Sequence, residues 1–176
     1  MKQDGLWSNI FRSKRQEESL AEILHEIPLF RELTSKELRV LQNIVHIRKY
    51  EAGEAVFLEG EPGAGMYVIR KGSVNVVLNY KSDNLVVLSE LREGDFFGEM
   101  ALLGDTERSA SAIAQENSEL IGFFNPDLIE IISVYPQMGA KISLGLAMTL
   151  AERLRYTNEQ LRDQRPYRGP NEKVIR

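Results

Sequence analysis

Cysteine is absent from the 176 residues, which excludes disulfides, thiolate metal sites and a cysteine nucleophile together. Histidine is almost absent as well. His25 and His46 are the only two, too few and too far apart in the chain for a histidine-rich metal site, so a cation would have to rely on carboxylates. His25 reads as a helix-surface residue and His46 as a strand residue. No apolar run approaches the ~20 residues that cross a bilayer, and the N-terminus lacks the apolar core of a secretory signal. These absences predict a cytoplasmic chain. Glycine is missing between Gly5 and Gly53, and eight glycines then fall from Gly53 to Gly104. Its absence reads as helix, and its density among β-branched residues reads as short strands and tight turns.

What is present is an ordinary globular balance, 43% apolar and 27% charged, in a length that fits one domain with some extension. The net charge of −4 is unevenly placed: +2 over 1–17, −9 over 18–151 and +3 over 152–176. An acidic middle with basic ends argues against a nucleic-acid surface spread over the domain. The chain divides into a leader at 1–17, basic and either amphipathic or flexible, a domain at 18–165, and a tail at 166–176 whose two prolines and glycine predict disorder.

Glu18–Glu26 carries Leu20, Ile23 and Leu24 at helical spacing and ends before Pro28. Thr34-Ser35-Lys36-Glu37 has capping-box spacing, with Leu38, Leu41, Ile44 and Val45 on one face behind it. Strands are expected near His46–Tyr50, Ala55–Leu58, Met66–Arg70, Ser73–Tyr80, Leu85–Leu91, Ser109–Ala114 and Glu119–Phe124, in a sandwich, jelly roll or barrel. Asn125-Pro126 reads as N-cap and first helical position of a helix running to Tyr135. A longer helix over Gln137–Arg165, about 43 Å, places Ile142, Leu146, Leu150, Leu154 and Leu161 along one stripe. That stripe fits either a dimer seam or packing along the chain's own domain. Met138 and Met148 read as core, and the basic run from 153 to 168 as a solvated helix face.

The chemistry concentrates in Gly94-Asp95-Phe96-Phe97-Gly98-Glu99-Met100-Ala101-Leu102-Leu103 and the following Glu107-Arg108-Ser109-Ala110-Ser111-Ala112. Gly98 and Ala101 allow a ligand close to the backbone. N–H groups near Met100 and Ala101, at the start of a turn, lack an intrahelical partner and suit a phosphate, with Arg108 closing a bidentate pair. Glu99 repels a phosphate and makes sense as the acceptor of a sugar hydroxyl. The same spacing also fits a structural ion pair between Glu99 and Arg108 at a β-corner.

Gly98-Glu99-Met100-Ala101-Leu102, with Arg108 nine residues after Glu99, resembles the phosphate-binding cassette of the cyclic nucleotide-binding domain family. Glu61-Pro62-Gly63, Met66-Tyr67-Val68-Ile69 and Lys71-Gly72-Ser73-Val74 resemble its central hairpin region, and the likeness covers 27–163. It implies an α+β fold: an eight-stranded antiparallel β-roll of jelly-roll type, N-terminal helices, and C-terminal hinge and lid helices. By position, Gly98, Met100 and Ala101 would offer backbone to the cyclic phosphate, Arg108 would neutralise it and Glu99 would hold the ribose 2′-hydroxyl. Ser109 stands where members favouring cyclic GMP often have Thr, which favours cyclic AMP. Val76 and Ser89 match pocket-lining positions of a bacterial member. Thr157 matches a residue on the adenine amine, and Asn158 one that reaches across from a partner subunit. The sequence departs from the pattern at Glu107, where many members have Pro, and at Asn158, where that member has Ser.

The resemblance implies a module that binds cyclic AMP, with cyclic GMP left open, and switches its C-terminal helix. No resident cofactor or metal is expected, and with no Walker loop, no kinase catalytic loop and no nucleophile beside its base, no catalysis is expected either. The expected partners are a second copy along the long helix and an unidentified protein effector. The 15 residues after Leu161 leave no room for a helix-turn-helix, so no nucleic-acid contact is expected. The rival reading is an interaction or tethering module whose nucleotide site is weak or unused. Leu6, Trp7, Ile10 and Phe11, with basic residues around them, would place 1–16 on a membrane surface, unless that stretch is flexible or packs on the domain.

Overall fold

The structure, a computed structural model, describes residues 20–104 and 106–163. The leader at 1–17, with the membrane contact considered for it, and the tail at 166–176 lie outside the described residues.

Helix α1 (20–26) puts Leu20 and Leu24 into the core, and a 3-10 turn, Pro28–Phe30, follows it. Helix α2 (Ser35–Gln42) starts at the expected box. Glu37 N–H donates to Thr34 Oγ1 at 3.3 Å, and Thr34 N–H donates to the Glu37 carboxylate at 2.7 Å. Lys141 Nζ donates to the same carboxylate at 2.7 Å. Burial acts to raise the Glu37 pKa, but the bonds from Lys141 and Thr34 outweigh it and hold the group below its ordinary value.

Eight antiparallel strands form two four-stranded sheets. They are β1 (His46–Tyr50), β2 (Ala55–Phe57), β3 (Gly65–Lys71), β4 (Ser73–Leu78), β5 (Val86–Arg92), β6 (Phe96–Phe97), β7 (Ser111–Ala114) and β8 (Ser118–Phe124). The orders are β1-β8-β3-β6 and β2-β7-β4-β5. Register places Tyr67 opposite both Gly122 and Phe97 in the first sheet, and Val76 opposite both Ala112 and Ser89 in the second. β6 has no periodic signal of its own, since two residues cannot show alternation; it exists because Phe96 and Phe97 pair with β3.

Two apolar clusters hold the fold. Tyr50, Tyr67, Ile69, Val74, Phe97, Ala112, Ala114 and Leu120 fill one, where Tyr67 stacks on Phe97 at 5.7 Å between ring centres. The other joins the helices to the outer sheet face through Leu24, Leu29, Phe30, Phe123, Ile131, Ile142 and Leu146. Phe30 meets Phe123 edge-on at 5.5 Å, a pair worth ~1 kcal/mol beyond the area it buries.

Helix α3 (Asn125–Val134) begins one residue earlier than the Asn-cap pattern predicts. Asp127 accepts from Phe124 N–H at 2.8 Å and caps the end. The Asn125 amide is released for another use, donating to Leu102 O at 2.8 Å. Pro136 ends α3 and opens α4 (Pro136–Asp163). The two halves of α4 differ. Met138, Ile142, Leu146 and Thr149 are buried against the domain, whereas 151–162 is exposed throughout. The expected stripe therefore splits: Ile142 and Leu146 are core, Leu150 is half-buried, and Leu154 and Leu161 face solvent. Met148 is likewise exposed rather than core, because it falls on the outer side of the packed half. His25 is exposed on α1, and His46 is exposed on β1 with its ring 5.3 Å from that of Phe124. Among the described residues no helix is long and apolar enough to cross a membrane.

Candidate functional site

The strand pairing carries the chain from β6 directly into the cassette. Gly98 takes φ +77° and lets the backbone turn into the 3-10 segment Glu99–Leu102. A Cβ at Gly98 would lie 2.7 Å from Arg108 Nη1, so the position needs glycine for both conformation and space. Gly98 O then accepts two donors, Ala101 N–H at 3.2 Å and Arg108 Nη1 at 3.2 Å. The Ala101 amide, expected to be free for a phosphate, is thus engaged inside the turn.

Arg108 is fixed from three directions. Its N–H donates to Glu61 O at 2.8 Å, and its carbonyl accepts from Gly60 N–H at 2.9 Å. Gly63 N–H donates to Thr106 O at 2.8 Å, and a Cβ on Gly63 would meet Ala101 Cβ at 2.6 Å. The Glu61-Pro62-Gly63 loop is therefore a brace behind the cassette. The guanidinium lies 3.9 Å from the centre of the Phe57 ring, a contact worth more in a desolvated setting than on the surface. Arg108 is 7% exposed, and its Nε has no hydrogen-bond partner. Burial lowers its pKa from the ordinary arginine value, with Tyr67, Glu61 and Glu99 pulling the other way.

Glu99 is 2% exposed and does not pair with Arg108. Its Oε1 accepts from Arg153 Nη1 of α4 at 2.7 Å, while Oε2 is buried with no partner. Arg153 Nη2 donates to Phe96 O at 3.1 Å, and its guanidinium sits 4.8 Å from the centre of the Phe96 ring. The β-corner ion pair is excluded by this arrangement. A buried carboxylate and a buried guanidinium, each with an unfilled polar atom, instead face one cavity. Leaving such atoms unpaired costs about 1–3 kcal/mol each, so they are natural positions for a ligand's polar groups.

The cavity encloses about 290 Å³, and its walls include Val76, Leu88, Ser89, Gly98, Glu99, Met100, Ala101, Arg108 and Ser109, with Arg153 reaching in from α4. The structure thus brings together the expected site residues except Thr157 and Asn158. Both are exposed on the far half of α4, and Thr157 Oγ1 is committed to Arg153 O at 2.9 Å. Glu107 also lines the cavity, is exposed, and pairs with Pro62 in an isolated bridge. Arg153 is the residue that sequence reasoning missed, since it reads as one more cation on a basic helix face. Its signal was its position one helical turn before Thr157, on the face already expected to meet the ligand.

Fold and site together define a β-roll, a jelly-roll domain with a charged cassette that meets a C-terminal helix through Arg153 and Glu99. The family described as cyclic nucleotide-binding domain matches residues 47–135. The chain belongs to that family. The cyclic AMP receptor protein of Thermus thermophilus is 34% identical over 134 residues, which are 76% of this chain and 60% of that protein. Human cGMP-dependent protein kinase 2 is 30% identical over 115 residues, 64% of this chain and 15% of the kinase. The crystal structure of the Thermus thermophilus catabolite activator protein superposes with a TM-score of 0.67 at 34% identity, covering 76% of this chain and 61% of that one. The chain thus spans about 60% of the length of the Thermus relative and 15% of that of the kinase.

Proposed function

We propose that the chain is a cyclic AMP-binding regulatory module in which ligand capture sets the pose of α4. The observation that carries this reading is the pair of buried, opposite charges at one cavity, Glu99 with Oε2 unfilled and Arg108 with Nε unfilled. Arg108 suits a cyclic phosphate in both charge and planar geometry. Glu99 suits a ribose 2′-hydroxyl, and Arg153 holds the carboxylate at its other oxygen. Ser109 at the cavity wall favours cyclic AMP over cyclic GMP, and the Thermus relative is named for cyclic AMP. No covalent chemistry is required of the site.

The signal passes to a partner. Leu154 and Leu161 are exposed seven residues apart on α4, with Asn158 between them, the pattern of a two-stranded seam whose polar member fixes register. A second copy of the chain along this half-helix is therefore the first partner, and a protein effector acts downstream of it.

Isothermal titration of the full chain with cyclic AMP and cyclic GMP tests the reading. Cyclic AMP should bind with the higher affinity, Arg108→Ala should weaken it about 100-fold, and 2′-deoxy cyclic AMP should bind about 10- to 100-fold more weakly than cyclic AMP. An absence of heat with both nucleotides at hundreds of micromolar, or unchanged binding by Arg108→Ala, rejects it.

A further inference from the structure

Among the described residues three buried side-chain atoms have no hydrogen-bond partner: Glu99 Oε2, Arg108 Nε and Thr149 Oγ1. The first two belong to residues that line the cavity. Thr149 does not line it. It sits on α4 four residues before Arg153, hence on the same helix face, and is 4% exposed. Its helical neighbours Leu146 and Leu150 belong to the same apolar cluster as Leu102 of the cassette turn. A helical threonine ordinarily satisfies its hydroxyl on the carbonyl four residues back. Thr157, on the same helix, does so at 2.9 Å. Thr149 does not.

We propose that Thr149 is a positioning residue that keeps α4 releasable from the Pro28–Phe30 turn and α3, on which its buried half packs, so that without ligand the docked pose is only fractionally populated. The hydroxyl is desolvated and unpaired only while the helix is docked, and it regains water when the helix lifts. The penalty therefore falls on one side of the equilibrium. The docked side carries Arg153 onto Glu99 and aligns the carboxylate under the cavity. Apparent affinity for a ligand that uses Glu99 falls with the docked fraction. The packed half of α4 supplies the opposing term through Met138, Ile142 and Leu146. The link to affinity rests on the proposed nucleotide reading; the effect on α4 does not.

The absence of cysteine supplies the test. Leu150→Cys, at a half-buried position on α4, gives a single thiol whose labelling rate, normalised to the unfolded chain, reports helix release without any nucleotide. Thr149→Val in that background keeps shape and removes the hydroxyl, and should slow labelling about two- to fivefold. Thr149→Ser keeps the hydroxyl and should not slow it. Equal or faster labelling with Thr149→Val would mean that the hydroxyl is satisfied in the docked pose, and would overturn the proposal. With Leu150 restored, Thr149→Val should tighten cyclic AMP by about the same two- to fivefold. Slower labelling with unchanged affinity would overturn the positioning role. If the unsubstituted chain binds no cyclic AMP, the nucleotide reading fails while the labelling result still decides whether Thr149 controls α4.

Discussion

Gly98 shows how one residue serves conformation, space and charge together. Its positive φ turns the chain, its missing Cβ admits Arg108, and its carbonyl holds both the turn and the guanidinium. Gly98→Ala should cost about 1–2 kcal/mol from the left-handed backbone alone, and it must also push Arg108 off the carbonyl. Thermal unfolding together with nucleotide titration should show both losses; a stable variant with unaltered binding would contradict the geometry. Arg153 makes the complementary case. Arg153→Met leaves Glu99 buried with neither oxygen bonded. Because Arg153 is half exposed, its partial screening by solvent keeps the expected destabilisation to about 1–2 kcal/mol, measurable by urea unfolding.

At the scale of elements, α2 and α4 are tied by a carboxylate whose depressed pKa makes the tie sensitive to acid. Glu37 is charged in the folded chain at pH values where it would be protonated in the unfolded one. Its contribution is thus fully present above the ordinary carboxylate pKa and is lost as the pH falls through the lower folded value. Lys141→Met should flatten that acid limb in a plot of unfolding free energy against pH. Tyr50 governs the opposite limb. Burial, followed by the neighbouring Tyr67, raises its pKa from 10.0 to about 12. The stability it contributes is present below pH 10 and lost on rising to about pH 12, a loss that Tyr50→Phe should remove. Most of this architecture was legible in the sequence, for identifiable reasons. The Thr34 box, the glycine-bounded strands and the break at Pro136 are local signals that act within one turn of chain. Long-range decisions were not legible. Phe96–Phe97 became a strand only because β3 lay beside it, and Asn125 lost its cap role because Leu102 O, 23 residues away, was the better partner. In the site, residues on the contiguous cassette were readable, whereas Arg153 joins Glu99 across 54 residues and no local pattern encodes that meeting. Thr157 and Asn158 lie away from the cavity because the seated half of α4 ends short of them.

At the scale of the whole molecule, the proposed anion site lies inside a segment, 18–151, that carries −9. The Arg108 interaction is buried and weakly screened, whereas the surrounding repulsion runs through solvent and is screened within about 10 Å at 0.1 M salt. Nucleotide affinity should therefore stay level or rise slightly from low to moderate ionic strength. A steep fall, as for a surface basic patch, would contradict this. The same scale governs assembly. Sedimentation of the full chain should report a dimer, and Leu154→Glu with Leu161→Glu should shift it to monomer without disturbing the domain, because both positions are exposed. The brace behind the cassette carries a further consequence. Arg108 is strapped on both flanks of its backbone by Gly60 and Glu61, more than forty residues earlier in the chain. A transplant of 98–108 alone into another jelly roll would deliver the ligand-facing atoms without the scaffold that aims them. The transferable unit is discontinuous, pairing 58–63 with 98–108, and any graft should be built from those two pieces together.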